Sequence, residues 1–473
     1  MRKVVVPPSH PLGDNTMSAA DVFNRLSDPN PPTDTPVLFG RAVVMGGSVA
    51  GLMAARVLAD HAEQVIVVER DDPGTSTAPR PGVPQSSQIH ALLPSGLIQL
   101  ERFFPGFTEQ AVAAGARPQP PSTIRRYVDG QLRASDFDTA MLGGSRPFIE
   151  ARIREHTLAR PNVKTIVGRA TGVEFDGEAA TGVRVEADGA ETVERADFVV
   201  DAMGRSSRLS DWLEQAGWQR PPMQRMTVDL NYACAVFRRD DEPDHTIVLS
   251  VRSPQLSPDV SGAAVCQIEE NRWLVLVAGY AEHRPAQTTE DLIRFCRTEL
   301  SDEFVHAVAN EVVDDVRTYR HPDSRRRDFH RLRRMPARLV AVGDAVASFN
   351  PIYGQGMTSG TLHASCLSDF LRSRPDLSRP ARGFFALQKV VVDAAWSTST
   401  GADLQLPHVD GPYPRFYRIR RWLDNQVAAA TLHDAAMNRL FDEVTFMLRH
   451  PRELTRPSVR LRAILLNRRA KKG

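Results

Sequence analysis

Cysteine is scarce. The 473 residues hold four, Cys234, Cys266, Cys296 and Cys366, and no two form a C-x-x-C pair. That scatter excludes a disulfide framework, argues against a zinc site and suits a reducing cytoplasm. Long apolar runs are missing too, and none approaches the length of a membrane span. Near the start only residues 4–6 form an apolar run, so a secretory signal peptide is not expected. Charge of one sign is also lacking. Lys and Arg number 59 and Asp and Glu 57, a net charge of +2, which excludes an electrostatically driven nucleic-acid binder. No internal repeat is visible. What is present, 42% hydrophobic and 25% charged residues, suits two or three closely packed domains around a large core.

The strongest positive signal is residues 41–70, RAVVMGGSVAGLMAARVLADHAEQVIVVER. Residues 42–45 read as a strand, 46–51 as a Gly-rich turn, the run through Leu58 as a helix, and 65–68 as a second strand. Glu69 follows about twenty residues after the turn, where a ribose-binding carboxylate belongs. Gly46 permits the turn, and Gly51 lets helix and strand pack closely. The helix start then faces a diphosphate with free N–H groups and a positive dipole end. Ser48 stands where G-x-G-x-x-G has its middle glycine; it is small and its hydroxyl can donate to phosphate. The pattern predicts dinucleotide binding.

A second signal is VGDAVASFNPIYGQGM, residues 342–357. Gly343-Asp344 follows the apolar strand 338–342, so the carboxylate lies at a strand's C-terminal edge, where it can accept from ribitol hydroxyls. Pro351 fixes the backbone, and Gly354 and Gly356 let main chain approach a flat ring. A helix then starts near Gly356. The third signal, residues 201–208 (DAMGRSSR), closes the strand 198–202 and offers Arg205 or Arg208 to phosphate.

Between these signals, residues 90–102 and 146–158 read as helices. Residues 127–137 read as a hairpin across Asp129-Gly130, and 163–167 and 181–186 as strands. Residues 226–280 alternate like antiparallel sheet, 289–309 is helical, and the chain beyond 380 is mostly helical. The predicted architecture is α/β: a split Rossmann-like, glutathione-reductase-like FAD-binding domain with an inserted antiparallel-sheet substrate domain and C-terminal helices. The interruption favours a flavin fold over a contiguous NAD domain. Residues 1–38 are expected to form a flexible arm, 39–220 and 335–378 the cofactor domain, 221–334 the substrate sheet, and 379–473 the helical region.

GGSVAGL, Glu69-Arg70, residues 201–208 and GDAVASFNPIYGQGM together resemble the flavoprotein aromatic-hydroxylase superfamily, the class A flavin monooxygenases. RPGVPQSSQIHALL, SRPFIEARIR and FNPIYGQGM most resemble actinobacterial polyether epoxidases of the monensin and lasalocid type. The resemblance implies roles for particular residues. Gly46, Ser48, Val49, Ala50 and Gly51 would meet the FAD diphosphate. Glu69 would bind the adenosine ribose with Arg70 beside it, and Arg146 would reach phosphate or ribose. Asp344 would hold the ribitol. Pro351, Gly354, Gln355, Gly356 and Met357 would line the isoalloxazine. Two strings depart from the family pattern. Ser87-Gln88 replaces an Arg-His pair, and Asp201-Ala202-Met203-Gly204 replaces the Asp-Gly pair associated with NADPH handling.

The resemblance implies a cytoplasmic monooxygenase that epoxidises or hydroxylates a hydrophobic polyketide- or terpenoid-like substrate through a flavin C4a-hydroperoxide. It would use O2 and NAD(P)H, directly or through a flavin reductase. Two other readings stand beside it: a reductase of isoprenoid double bonds, and a non-catalytic FAD-binding redox sensor. No W-x-W-x-I-P string marks a halogenase. Residues 228, 230, 232, 234, 236, 265, 274, 276 and 277 are expected to form an apolar floor. His90 is expected to be a structural hydrogen-bonder, and Tyr353 to shape the pocket or pack. The arginine clusters 324–327 and 331–334 are expected to be solvated. The C-terminal helix is expected to dock through Val459, Leu461, Ile464 and Leu465.

Overall fold

Strands Phe39–Met45 and Ala62–Glu69 are apolar almost throughout, so both of their faces need cover. They lie at the centre of a five-stranded parallel sheet. Its order is Leu339–Ala341, Phe198–Asp201, Phe39–Met45, Ala62–Glu69, Val163–Val167. Val43 and Val44 are fully buried in it. The computed structural model describes residues 17–72, 74, 77–133, 138–252 and 261–470. Helix Val49–Leu58 packs against helix Gln355–Arg372, where Gly360 leaves room for Ala50. A side sheet of three strands, Arg169–Asp176, Ala179–Ala187 and Ala190–Arg195, flanks the parallel one.

The second layer is an eight-stranded sheet. Its order is Ala347–Ser348, Val312–Arg327, Met223–Arg238, Arg272–Tyr280, Ser261–Ile268, Ile247–Val251, Ile124–Val128, Gln131–Arg133. All its pairs are antiparallel except Ile247–Val251 with Ile124–Val128. One face packs on helices Thr289–Glu299 and Asp302–Ala307 through Trp273, Phe237 and Phe304. The other face meets Leu404, Leu406 and Val409 from the C-terminal region.

Several expectations need correction. Within the arm assigned to 1–38, residues 1–16 lie outside the described residues, but Ala19–Leu26 is a docked helix. Ser18 and Asp21 form its capping box, and Phe23 and Leu26 are buried. The hairpin near Asp129-Gly130 exists, with residues 134–137 outside the described set. Its strands belong to the large sheet, so the sheet is not confined to 221–334. The apolar floor divides. Val228, Leu230, Tyr232, Cys234, Leu274 and Leu276 share one face, while Val265 and Val277 point to the helices behind. A strand's period of two sends neighbours such as 276 and 277 to opposite sides. The helix expected over 90–102 is Pro94–Phe103, starting at its proline. On helix Pro457–Ala470 the buried positions are Ala463 and Asn467, with Leu461 and Leu465 exposed.

Candidate cofactor and substrate cleft

The turn after Phe39–Met45 has room only for glycine at two points. Gly46 has φ +105°, and a Cβ there would lie 2.5 Å from the Ala202 carbonyl oxygen. A Cβ on Gly51 would come within 1.8 Å of the Gly46 oxygen. Gly51 is therefore a packing position and does not line the cleft. Glu69 Oε2 accepts from the Gly47 N–H at 2.7 Å, clamping the turn to the neighbouring strand. Ser48 is the N-cap of helix Val49–Leu58, yet its side chain does not cap it. Its Oγ donates to Glu150 Oε2 at 2.6 Å and accepts from Arg146 Nη2 at 2.8 Å.

Glu150 lies at the centre of a buried ionic knot. It accepts from Arg80 Nη2 at 2.7 Å, Arg154 Nη2 at 2.8 Å and Arg146 Nη2 at 3.0 Å. Burial alone would raise its carboxyl, but the Arg146 and Arg80 charges and the bond from Ser48 hold it down at about 2. Arg80 also meets Glu69 at 3.2 Å and Asp71 at 2.9 Å. Neither Arg80 nor Glu150 stands out in the sequence, because their partners come from four separate segments. Arg146 presents a buried Nε with no partner among the described residues, and its side chain lines the cleft.

The opposite wall is the second motif. Gly343 has φ +60°, and its N–H donates to His363 Nδ1 at 2.9 Å. Asp344 lines the cleft beside it; burial raises its carboxyl against the Arg146, Arg205 and Arg327 charges. Arg327 Nη1 donates to the Ala345 carbonyl at 2.9 Å and Nη2 to that of Arg205 at 3.2 Å. The cluster 324–327 is therefore not a solvated face: Ser324, Arg326 and Arg327 are buried. Arg326 pairs with Asp328 at 2.7 Å and Asp393 at 2.9 Å. These guanidiniums satisfy carbonyls and carboxylates that are wholly or partly buried.

Gly354 takes the left-handed conformation that lets helix Gln355–Arg372 start at the cleft. A Cβ on Gly356 would meet nothing within 4 Å, so the cleft lies open above it. Pro351, Gly354, Gly356 and Met357 line the cleft, whereas Gln355 is buried behind it with an unpartnered Oε1. Tyr353 points away from it. Its hydroxyl donates to Asp403 Oδ1 at 2.9 Å, and Asn350 Nδ2 donates to the same oxygen at 2.7 Å. Asp201 does not face a ligand either. It is fully buried and accepts from the Met203 N–H at 3.0 Å and from Ser207 Oγ. Arg205 binds Asp323, and its Nη1 donates to Ser348 Oγ at 3.2 Å.

One cleft of ≈ 770 Å³ joins these walls. Gly46, Ser48, Val49, Ala50, Glu69, Arg70, Arg146 and Asp344 line one part of it. Ile89, Tyr232, Tyr319, His321 and Phe349 line another. His90 also lines it, with Nδ1 2.9 Å from the Gln88 oxygen; burial and the Arg146 charge lower its imidazole to about 4. Burial and the Arg205 charge lower His321 to about 3. Both imidazoles are neutral near pH 7. Tyr319 and His321 escaped the sequence reading, because their strand, RTYRHPDSRRR, lacks apolar alternation.

The donors fit FAD. A helix start and Arg146 suit a diphosphate, a strand-end carboxylate suits a polyol, and open main chain at Gly356 suits a flat ring. The volume lies in the range of a cofactor-sized site.

Three comparisons set this site among known proteins. The family profile described as "FAD binding domain" matches residues 41–373. Protein Rv3254 of Mycobacterium tuberculosis is 31% identical over 423 residues, 85% of this chain and 88% of that one. Two solved structures share the fold. The flavin-dependent brominase Bmp2 has a TM-score of 0.62 and 16% identity, covering 92% of this chain and 100% of that one. The p-nitrophenol 4-monooxygenase PnpA of Pseudomonas putida has a TM-score of 0.60 and 19% identity, over 88% and 99%. A parallel sheet ending in a glycine cradle, a profile spanning most of the chain and a relative of nearly equal extent agree: this protein belongs to the FAD binding domain family.

Proposed function

We propose that the protein is an FAD-dependent monooxygenase that adds one oxygen atom of O2 to a hydrophobic small molecule. The observation that carries this reading is the continuity of the cleft from the glycine cradle to the apolar face of the large sheet. In this reading Gly46, the main chain of Ser48, Val49 and Ala50, and Arg146 hold the diphosphate and Glu69 and Arg70 the adenosine ribose. Asp344 holds the ribitol, and Pro351, Gly354, Gly356 and Met357 border the ring. Gly51 and Gln355 support that wall from behind. Bound and reduced, the flavin supplies oxygen activation; the chain's residues supply position and dryness.

Ile89, Tyr232 and Phe349 keep water from the reacting face and favour an apolar partner, such as a polyene or polyketide, over a small acid. The neutral imidazoles of His90 and His321 orient groups by hydrogen bonding and do not serve as charged acids at neutral pH. Epoxidation needs orientation more than a base, so a wall of apolar side chains and neutral imidazoles favours an alkene over a phenol. That preference agrees with the polyether-epoxidase resemblance. Reducing equivalents come from NAD(P)H, directly or through a flavin reductase, and this suits a cytoplasmic setting.

The test is incubation of the purified protein with FAD, NAD(P)H, labelled O2 and a panel of polyenes and phenols. Mass spectrometry should find one labelled oxygen in a product. A product without labelled oxygen removes the monooxygenase assignment. A polypeptide that stays colourless when FAD is titrated in removes the cofactor.

A further inference from the structure

Helix Tyr417–Ala430 is amphipathic, but its apolar face is covered only in part. Ile419, Leu423, Val427 and Ala430 recur at i, i+4, i+8 and i+11, so they share one face. The far half of that face is buried: Val427 and Ala430 pack with Met437 and Ala463. The near half is open, with Leu423 partly covered. Ile419 is 60% exposed and Phe416, just before the helix, 63%; Trp422 and Tyr413 beside them are also exposed. Large apolar side chains gathered this way on a surface mark a contact site.

The charge around them is mostly positive, with Asp410 and Asp424 at the two ends of the segment. Residues 411–423 contain Arg415, Arg418, Arg420 and Arg421 and no acid. Arg415 stacks over the Phe416 ring at 5.0 Å. Asp424, the next acid, is held by Arg460 at 3.2 Å. Arg418 and Arg421 form no ion pair among the described residues.

We infer that this face docks the protein on an anionic lipid surface. Aromatic and branched side chains beside arginines are what an in-plane helix presents to the headgroup boundary. A second copy is the poorer occupant, since a two-fold contact would set arginines against arginines. Packed side chains also join the patch to the cleft wall. Tyr413 packs on Tyr417 with ring centres 4.8 Å apart, and the Tyr417 hydroxyl donates to the Leu404 oxygen at 2.6 Å. Tyr417 and Leu404 belong to the apolar layer that contains Tyr232 and Ile89, both on the cleft wall. The docked face would thus set the lipid surface behind one wall of the chamber, a consequence that bears on the hydrophobic-substrate reading above; the docking itself does not rest on it.

The test is co-sedimentation of the full-length protein with vesicles of phosphatidylcholine and phosphatidylglycerol in equal parts, against vesicles of phosphatidylcholine alone. Binding is expected to the mixed vesicles only and to weaken in about 0.5 M salt. The double variants R418E/R421E and F416S/I419S should each lose it by about tenfold or more, while their melting temperatures and FAD uptake stay unchanged. Absence of binding by the wild type, or wild-type binding by either variant, overturns the inference. So does a dimer in gel filtration that F416S/I419S dissociates without any vesicle binding, which would make the face a self-contact. No outcome depends on turnover, so failure here leaves the monooxygenase reading to its own test.

Discussion

Arg80 and Glu150 are 70 residues apart in the chain, yet Nη2 and Oε1 stand 2.7 Å apart. That contact joins the loop after the second strand to the helix that carries Arg146. It also keeps a carboxylate in the same knot as the Ser48 hydroxyl at the cradle.

Removing the carboxylate should be costly. Glu150→Ala leaves Arg80, Arg146 and Arg154 without this shared partner at a site only 5% exposed at the side chain. Loss of about 3–5 kcal/mol of stability is expected, with FAD affinity falling in parallel. Glu150→Gln, which keeps one acceptor, should lose less. Urea unfolding and flavin-fluorescence titration measure the two effects; a neutral Ala variant would refute the role given to the knot.

Two glycines should respond in opposite ways. Gly51→Ala drives a methyl into the Gly46 carbonyl, so the turn must open, and both melting temperature and FAD retention should drop. Gly356→Ala meets open space, so the apoprotein should keep its stability. Its methyl would instead crowd a bound ring, weakening FAD by ~10-fold, about 1.4 kcal/mol. Thermal melts of the apoproteins and FAD titrations separate the two outcomes.

Arg327 gives a third comparison. Arg327→Met keeps most of the buried volume but leaves the carbonyls of Ala345 and Arg205 without this donor. A destabilisation of about 1–3 kcal/mol is expected, together with weaker FAD binding, since Asp344 sits in the same turn. Equal stability and unchanged FAD affinity would show that the turn holds itself.

The fourth prediction concerns pH. Burial raises the Asp403 carboxyl from 3.8 to about 7, opposed by its bonds from Asn350 and Tyr353. Between about pH 4 and pH 7 the unfolded chain has released this proton and the folded chain keeps it. Stability from Asp403 is therefore fully present at low pH, falls as pH rises through that window and levels off above it. Asp403→Asn cannot ionise, so the stability difference between variant and wild type should shift in the variant's favour by on the order of 4 kcal/mol from about pH 4 to pH 8. Melting curves across that range check it; a flat difference would show that the group stays ionised in the fold.

The parts of the site legible in the sequence are those made by neighbours in the chain. The strand read at 42–45, the turn at Gly46 and the helix through Leu58 follow from local period and from glycine; the structure has them there, with the strand starting three residues earlier at Phe39. Gly343-Asp344 and Gly354 are legible for the same reason. The parts that are not depend on distant partners. Ser48 reads as a phosphate donor, but its hydroxyl already serves Glu150, 102 residues away. Residues 324–327 read as solvated because charge runs usually are; here they sit on a strand wedged between the turn at Asp344 and helix Arg382–Asp403. Tyr353 reads as shaping the pocket or packing, and the choice is made by Asp403, which turns its hydroxyl into a tether for the loop.

Strand Leu339–Ala341 pairs directly with Phe198–Asp201, and most of the large sheet is threaded between them in the chain. During synthesis the nucleotide-holding layer must therefore wait with an unpaired edge until the whole insertion has emerged from the ribosome. Coenzyme capture is a late event in the life of each new molecule, and a chain halted before that last strand would display a sticky border in place of a finished pocket.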